Sequence, residues 1–484
     1  MLDYIPKYFT NKAMALYALT LLVVSLVFMR YVMPWFGWVW GMVSVLGFFY
    51  YSNALTLRWR HYSKQYFLKR LFYTALTIRI VYVVLSYWFY IWQTGKPFEF
   101  ATADAWIYHL CSKAMAHGIL QGNFNLFELL DKSMGGHVGF SDSGYPIYLS
   151  FVYALTGDSI IVARLLKALW STLTVVLIYK IACRHFGEST ARIAAVMCML
   201  MPNMILYCGK HLKETEMVFL TVLFVERADL LMNQPKFVFS QTFIVVLLAM
   251  SLFAFRTVLG AVAVLAFFIS LFFQVSRFSS INRIMRRVLV ALLALGFVGI
   301  MMQNRIQEEI DDLHQVQVSQ EQDYNYKSYR AETNSFARYA GATVFAPMIF
   351  TIPFSSMIWV QGQEDIIIYN GANFVKNILS FFTLIALFML IWPYNWRKSL
   401  LNGEWRYHVF PLVFMLGYLF VLVFSNFAHS ERFHMPTLPF LLMFAAYGIA
   451  NYSPKWKRWY WVWLGVIFVA NIGWAYIKLK GRGL

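Results

Sequence analysis

The fold is decided by residues 71–92, LFYTALTIRIVYVVLSYWFYIW, and by the segment ATADAWIY at 101–108 that follows them. A predominantly apolar run of this length is long enough to cross a hydrocarbon core of about 30 Å as an α-helix. Asp104 then places a carboxylate where that helix leaves the membrane. We predict a base at the water–lipid boundary, where it could act between a water-soluble acceptor and a lipid-borne donor.

Composition extends this interpretation to the whole chain. Of its 484 residues, 60% are hydrophobic and 13% are charged, whereas about 25% are charged in a typical soluble domain. Apolar runs of roughly twenty residues recur along nearly the whole sequence. We therefore predict an all-α, polytopic transmembrane helical bundle of about thirteen helices, at residues 13–32, 35–54, 71–92, 160–182, 190–208, 215–232, 237–255, 257–274, 287–302, 373–393, 407–426, 434–450 and 459–477.

The charge balance indicates orientation in a membrane rather than binding to nucleic acid. Lys and Arg total 41 and Asp and Glu total 23, a formal net charge of +18. Basic residues collect in cytoplasmic loops of membrane proteins, and no basic stripe interleaved with aromatic residues marks a nucleic-acid surface. Four basic clusters would share the cytoplasmic side: Arg58, Arg60, Lys64, Lys69 and Arg70; Arg277, Arg283, Arg286 and Arg287; Arg397, Lys398 and Arg406; and Lys455, Lys457 and Arg458.

Two long segments, 93–159 and 303–372, would then lie on the opposite, outer side. Within this outer portion, 145–157 and 346–360 are apolar but too short to span, so we expect helices that lie in the membrane interface. The predicted parts of the chain are an additional N-terminal transmembrane hairpin at 1–56, a catalytic transmembrane core at 57–302 that includes the outer loop 93–159, a second outer loop at 303–372, and C-terminal transmembrane helices at 373–484.

Ionisable residues converge on the outer face in this topology. One such charge alone also fits a snorkelling side chain or a local ion pair. Several cations together suit a phosphate, because Arg forks and Lys point charges bind phosphate oxygens. The helix centres are nearly free of charge, which favours an interfacial site over a path through the membrane. The outer-face residues are Asp104, His109, Asp131, His137, Asp142, Arg164, Lys210, His211, Lys213, Glu214, Glu216, Arg256, His429, Glu431, Arg432 and His434.

Sequence support for a metal is weaker than support for phosphate binding. Asp104 and Asp142 are oxygen ligands predicted on the same face, and they could share a divalent cation such as Mg²⁺ or Mn²⁺. No HExxH motif occurs, and the cysteines form no CxxC pair. The isolated cysteines are Cys111, Cys183, Cys198 and Cys208.

A series of short motifs resembles the core of membrane glycosyltransferases of the GT-C superfamily, in particular the protein-mannosyltransferase and lipid A aminoarabinose-transferase group. Asp104 followed by Tyr108 is similar to the acidic residue and the Tyr of that family's first outer loop. Many members carry two adjacent acidic residues there, whereas Ala105 follows Asp104 in this chain. The remaining motifs are Tyr145-Pro146-Ile147-Tyr148, Gly157, Ala163-Arg164-Leu165-Leu166, Tyr179, Phe186-Gly187, Ala191, Met201-Pro202, Glu214 and Glu431-Arg432-Phe433-His434-Met435-Pro436.

The resemblance implies transfer of a hexosyl or pentosyl group from a polyprenyl-phosphate carrier, with inversion, to a glycan, lipid or protein acceptor outside the cytoplasm. It suggests a bacterial inner membrane with the site facing the periplasm. Asp104 would be the general base. The residues expected to bind the substrate and the lipid phosphate are Tyr108, Asp142, Arg164, Lys210, Lys213, Glu214, Arg256, Arg432 and His434.

Three other functions stay open on the sequence alone. A polymerase or ligase that uses a lipid-diphosphate donor would rely on outer-face Arg and His and would not need Asp104. A flippase for lipid-linked sugars would need ionisable residues along a path through the helix centres. An assembly or scaffold protein would need no converging charges.

Overall fold

The computed structural model describes residues 2–100, 103–134, 142–234, 238–274, 348–359, 364–391, 408–424 and 430–480. Within these ranges all regular structure is helical, and there is no strand. The helices are α1 (Lys7–Val27), α2 (Trp35–Trp59), α3 (Lys64–Thr94), α4 (Ala103–Leu120), α5 (Leu126–Met134), α6 (Gly144–Thr156), α7 (Ile160–Phe186), α8 (Glu188–Leu200), α9 (Pro202–Leu206), α10 (Glu214–Asn233), α11 (Phe239–Phe255), α12 (Thr257–Gln274), α13 (Glu364–Ile391), α14 (Val409–Phe424), α15 (Glu431–His434), α16 (Leu438–Ala450) and α17 (Trp456–Lys480).

Six described segments are long and apolar enough to cross a membrane: α1, α3, α7, α17, Ile367–Ile391 within α13, and the continuous run Glu431–Ala450. A seventh is possible if α8 and the segment Pro202–Gly209, which meet at a bend of 50°, form one broken span. The all-helical, multi-pass membrane architecture is therefore confirmed. The predicted count of about thirteen spans is not, and the predicted run at 287–302 lies outside the described residues.

Helix α3 shows how local sequence sets the ends of a span. Ser63 accepts a hydrogen bond from the backbone N–H of Tyr66 at the start, and Gly95 ends the helix in the left-handed conformation with φ 72°. Exposed Tyr73 and Trp92 lie near its two ends, with exposed fractions of 58% and 66%. At 1.5 Å per residue they are about 29 Å apart, close to the thickness of a hydrocarbon core with its two aromatic belts.

A buried cation donates hydrogen bonds to backbone carbonyls at the end of α8, where the helix is broken. Pro202 cannot donate a backbone hydrogen bond, so the helix is interrupted at that point. Arg79, fully buried midway along α3, donates to the carbonyls of Met199 at 3.1 Å and Cys198 at 3.3 Å, and to Ser171 at 2.7 Å. The expectation of helix centres nearly free of charge is wrong here, because irregular backbone inside a membrane needs an internal hydrogen-bond partner.

Residues 348–359 do not form the predicted interfacial helix. They form a turn followed by non-helical backbone, and most of their side chains are buried. Lys376 and Asn377 of α13 donate to the carbonyls of Ile352 and Thr351, each at 2.5 Å. Polar side chains of a spanning helix thus supply hydrogen bonds to the backbone carbonyls of this segment. Pro353 disfavours helix formation there. The helix predicted at 145–157 is present as α6.

The N-terminal hairpin α1–α2 packs into the bundle. Tyr17 of α1 donates to Asn370 of α13 at 2.5 Å. Arg192 of α8 donates to the carbonyls of Trp59 at 3.0 Å and Tyr62 at 2.8 Å, in the connection between α2 and α3. Buried polar contacts of this kind fix the register between helices, so the hairpin shares one hydrophobic core with the helices that follow.

The two ends of the bundle differ in their charged residues. We call the end where α3 finishes and the span Glu431–Ala450 begins the Asp104 end. The basic clusters at 58–70 and 455–458 lie at the opposite end, where α2 ends and α17 begins. The other two predicted basic clusters, at 277–287 and 397–406, fall outside the described residues.

Candidate active site at the Asp104 end of the bundle

Three charged side chains from distant parts of the chain meet at the Asp104 end. Arg432 donates from Nη1 to Oδ2 of Asp104 and from Nε to Oε1 of Glu214. We call these residues the Asp104–Arg432–Glu214 triad. Their side chains are 49%, 23% and 0% exposed, in that order. The triad therefore runs from a buried carboxylate, through an arginine, to a carboxylate that an acceptor in water can reach.

Local structure explains the placement of the two carboxylates. Asp104 lies in the first turn of α4, and Glu214 lies in the first turn of α10. A helix N-terminus carries partial positive charge and unpaired N–H groups, so it favours a carboxylate in this position. Arg432 lies in the short helix α15, which enters the following span through a 3₁₀ turn containing Pro436.

Two further cations lie beside the triad. Lys213 precedes Glu214 in the chain, donates to the carbonyl of Phe255 at 3.0 Å and forms an ion pair with Asp142. Arg256 follows that carbonyl, where α11 ends and α12 begins. Its guanidinium carbon lies 4.5 Å from the ring centroid of Phe433, the neighbour of Arg432.

Lys213, Arg256 and Arg432 lie among the carboxylates of Asp104, Asp142 and Glu214 in this region. Burial, followed by the charge of Arg256, holds the pKa of Lys213 well below its usual range. Burial also raises the pKa of Tyr108, on which the charges of Arg432, Glu214, Asp104 and Arg256 all act. An anion bound beside Lys213 would stabilise its charged form, since a nearby opposite charge favours ionisation.

Three predicted phosphate ligands have other surroundings. Arg164 is fully buried, lies 3.8 Å from Glu99 and donates to the carbonyl of Pro97 at 2.5 Å. Lys210 lies over the ring of Tyr369 at 4.3 Å from its centroid. His434 is buried at the end of α15. The structure therefore brings together Asp104, Tyr108, Asp142, Lys213, Glu214, Arg256 and Arg432, and holds Arg164 apart in an ion pair of its own.

The predicted metal ligands do not form a cluster. Among the residues that the structure describes, no group of three or more His, Cys, Asp or Glu side chains is arranged to hold a metal ion. Asp104 pairs with Arg432 and Asp142 pairs with Lys213, so each carboxylate already has a cationic partner. The arrangement gives no structural support to the predicted Mg²⁺ or Mn²⁺ site.

Sequence reasoning missed the pairing of Lys167 with Glu216, which lies two residues after Glu214 in α10. Lys167 donates to the carbonyl of Leu212 and to Glu216, the latter at 2.8 Å, and both charged side chains are buried. In the residue before Leu212, His211, the backbone N–H donates to Glu99 at 3.3 Å and Nε2 lies 3.1 Å from the hydroxyl of Tyr153. The available signal was the position of Lys167 inside an apolar helix, because a charged residue in a span needs a partner.

Comparison with known families points to one type of protein. Residues 144–228 match the family model described as dolichyl-phosphate-mannose-protein mannosyltransferase, and residues 362–478 match the model of the Alg9-like mannosyltransferase family. Both matches support a GT-C-type membrane glycosyltransferase. Glu214 lies in the first matched segment and Arg432 in the second, so their ion pair joins the two segments.

Two other searches gave no further relatives: neither the curated proteins nor the solved structures yielded a match. Asp104 and Arg256 lie outside both matched segments. Their assignment to the candidate site therefore depends on the geometry described above.

Proposed function

We propose that the chain transfers a sugar from a polyprenyl-phosphate carrier to an acceptor hydroxyl, with inversion at the anomeric carbon and with Asp104 as general base. The observation that carries this proposal is the Asp104–Arg432–Glu214 triad beside Lys213 and Arg256. It combines a half-exposed carboxylate with several cations at one end of a membrane bundle. A base and an anion site are the two elements that such a transfer requires.

The reaction would proceed in one displacement. The acceptor oxygen forms a bond to the anomeric carbon, and its proton passes to Asp104. The bond between that carbon and the phosphate oxygen breaks, and the electron pair leaves with the lipid phosphate. Lys213 and Arg256 would hold the charge that develops on this leaving group, because preorganised cations are most effective where charge appears in the transition state.

Arg432 would orient the base rather than bind the leaving group. It contacts Oδ2 of Asp104, so Oδ1 would receive the proton. Glu214 holds the other side of the guanidinium and is fully buried, which fixes the arginine in place. A base that is already held in one orientation loses less entropy when it is aligned with the substrate, and this alignment contributes to the rate.

The other predicted substrate ligands would surround this centre. Tyr108 would line the site next to the triad. Asp142 would balance the charge of Lys213 when no phosphate is bound. Lys210 and His434 would act at the edge of the phosphate site. Arg164 would support the site from below, since Glu99 and the carbonyl of Pro97 already contact its guanidinium.

The site would face away from the cytoplasm, in the periplasm if the membrane is a bacterial inner membrane. Two basic clusters lie at the opposite end of the bundle, and basic residues collect on the cytoplasmic side. The acceptor would be a glycan, lipid or protein that presents a hydroxyl at this face, and the transferred group would be a hexose or a pentose.

A panel of donors tests this proposal with purified wild-type protein. Labelled sugars carried on polyprenyl monophosphate, on polyprenyl diphosphate and on a nucleotide are each supplied with membrane extracts as acceptor. We expect transfer from a monophosphate donor, because the cations beside Asp104 suit a single phosphate. Transfer from the diphosphate donor alone would favour a polymerase or ligase, and movement of the intact carrier across vesicles without transfer would favour a flippase.

A further inference from the structure

A buried tyrosine links the helix of the proposed base to the loop of the proposed cations. The hydroxyl of Tyr153, on α6, lies 2.7 Å from Nδ1 of His109 on α4 and 3.1 Å from Nε2 of His211 in the loop before α10. Tyr153 is 1% exposed and His211 is fully buried. Helix α4, helix α6 and the loop before α10 therefore all contact one oxygen atom at the Asp104 end.

We propose that Tyr153 is a positioning residue, which keeps Asp104 and the Lys210–Lys213 loop at a fixed separation. This inference rests on the proposed function, because the separation matters when the base and the phosphate-binding cations act on the same sugar. His109 lies five residues after Asp104 on α4, and His211 lies two residues before Lys213. A shift at the tyrosine would move one group of catalytic side chains relative to the other.

The loop is otherwise anchored to a different part of the protein. The backbone N–H of His211 donates to Glu99 at 3.3 Å, and Lys167 donates to the carbonyl of Leu212. Gly209 packs so closely that a Cβ atom there would lie 2.3 Å from the hydroxyl oxygen of Ser86. These contacts connect the loop and the residue before it to α3, to α7 and to Glu99. Tyr153 adds a connection to α4.

The chemistry of the three groups limits the directions of these two hydrogen bonds. A tyrosine hydroxyl has one proton, so it donates to one imidazole and accepts from the other. Burial is the main cause that lowers the pKa of His109 and of His211, so both rings are neutral near neutral pH. Asp158 opposes this effect at His109 and Lys113 adds to it, while Arg164 and Lys167 add to it at His211. A phenyl ring would leave both imidazoles without this partner.

Tyr153→Phe tests the positioning role when it is compared with Tyr460→Phe. Tyr460 is also fully buried, and its hydroxyl makes one hydrogen bond, to the carbonyl of Phe9 at 3.0 Å, at the opposite end of the bundle. We expect Tyr153→Phe to lower kcat about tenfold while KM for the donor changes less than about twofold, because misalignment slows the reaction more than it weakens binding. Tyr460→Phe should retain the wild-type kcat.

Hydrogen exchange in the absence of substrate gives a second, independent measurement. We expect Tyr153→Phe to increase amide exchange together in α4 and in residues 207–213, while Tyr460→Phe leaves both segments at the wild-type rate. If wild-type protein transfers no sugar but this paired increase occurs, the proposed function fails and the link stands. If only one segment changes, or if Tyr153→Phe behaves like Tyr460→Phe in both assays, the positioning role is wrong.

Discussion

Asp104→Asn is expected to lower kcat for sugar transfer by about 10²–10⁴-fold, the range typical of general-base catalysis. Asparagine keeps the size and shape of the side chain but cannot take up the acceptor proton. Binding of the carrier should change little, since the cations that would hold the phosphate are Lys213 and Arg256. The measurement is steady-state transfer by purified variants in detergent, with carrier binding measured on the same samples.

Two control variants separate the loss of the base from other effects. Asp131→Asn makes the same chemical change at an exposed carboxylate on α5 and should retain wild-type activity. Asp104→Glu retains a base in a displaced position and should be more active than Asp104→Asn. Equal transfer by Asp104→Asn and the wild type, at equal carrier binding, would show that Asp104 is not the base.

Arg432→Ala is expected to abolish transfer and to lower the free energy of unfolding by about 3–5 kcal/mol, which is typical for breaking a buried ion pair. The fully buried carboxylate of Glu214 would lose the partner that compensates its charge. Asp104 would lose the group that orients it, so catalysis and stability should fall together. Thermal unfolding in detergent and the transfer assay measure the two effects on the same protein.

A double variant distinguishes the two roles of Arg432. Arg432→Met combined with Glu214→Leu replaces the buried ion pair with apolar side chains of similar volume, which is often neutral or stabilising. We expect unfolding at a temperature near that of the wild type, with transfer still lost. Recovery of transfer in the double variant would mean that Arg432 acts only through stability, and the orienting role would be wrong.

The sequence predicted the type of fold more readily than it predicted the contacts among the candidate site residues. Asp104, Lys213, Glu214 and Arg432 could each be located at a helix end, because an apolar run stops beside them. Their pairing could not be predicted, since Asp104 and Arg432 are 328 residues apart and meet only after the helices pack. The sequence predicted a base at the membrane boundary, and the structure adds that this carboxylate pairs with Arg432.

Buried charges and irregular backbone were the other main differences. Arg164 resembles a phosphate ligand in sequence, but in the structure it pairs with Glu99, which lies 65 residues earlier in the chain. Arg79 and Lys376 lie within spans, where Arg79 donates to carbonyls in the last turn of α8 and Lys376 donates to a carbonyl of the non-helical segment 348–359. Such carbonyls become known only when the break in the helix is seen, so hydropathy alone cannot distinguish these cations from functional ones.

Direct attack by the acceptor on the sugar, with Asp104 taking the proton, requires that the configuration at the anomeric carbon inverts. The most direct test is to supply purified wild-type protein with a polyprenyl-phosphate sugar of known configuration and to determine the configuration of the product by NMR. We predict the opposite configuration to that of the donor. A product that retains the donor's configuration would contradict a single displacement assisted by Asp104.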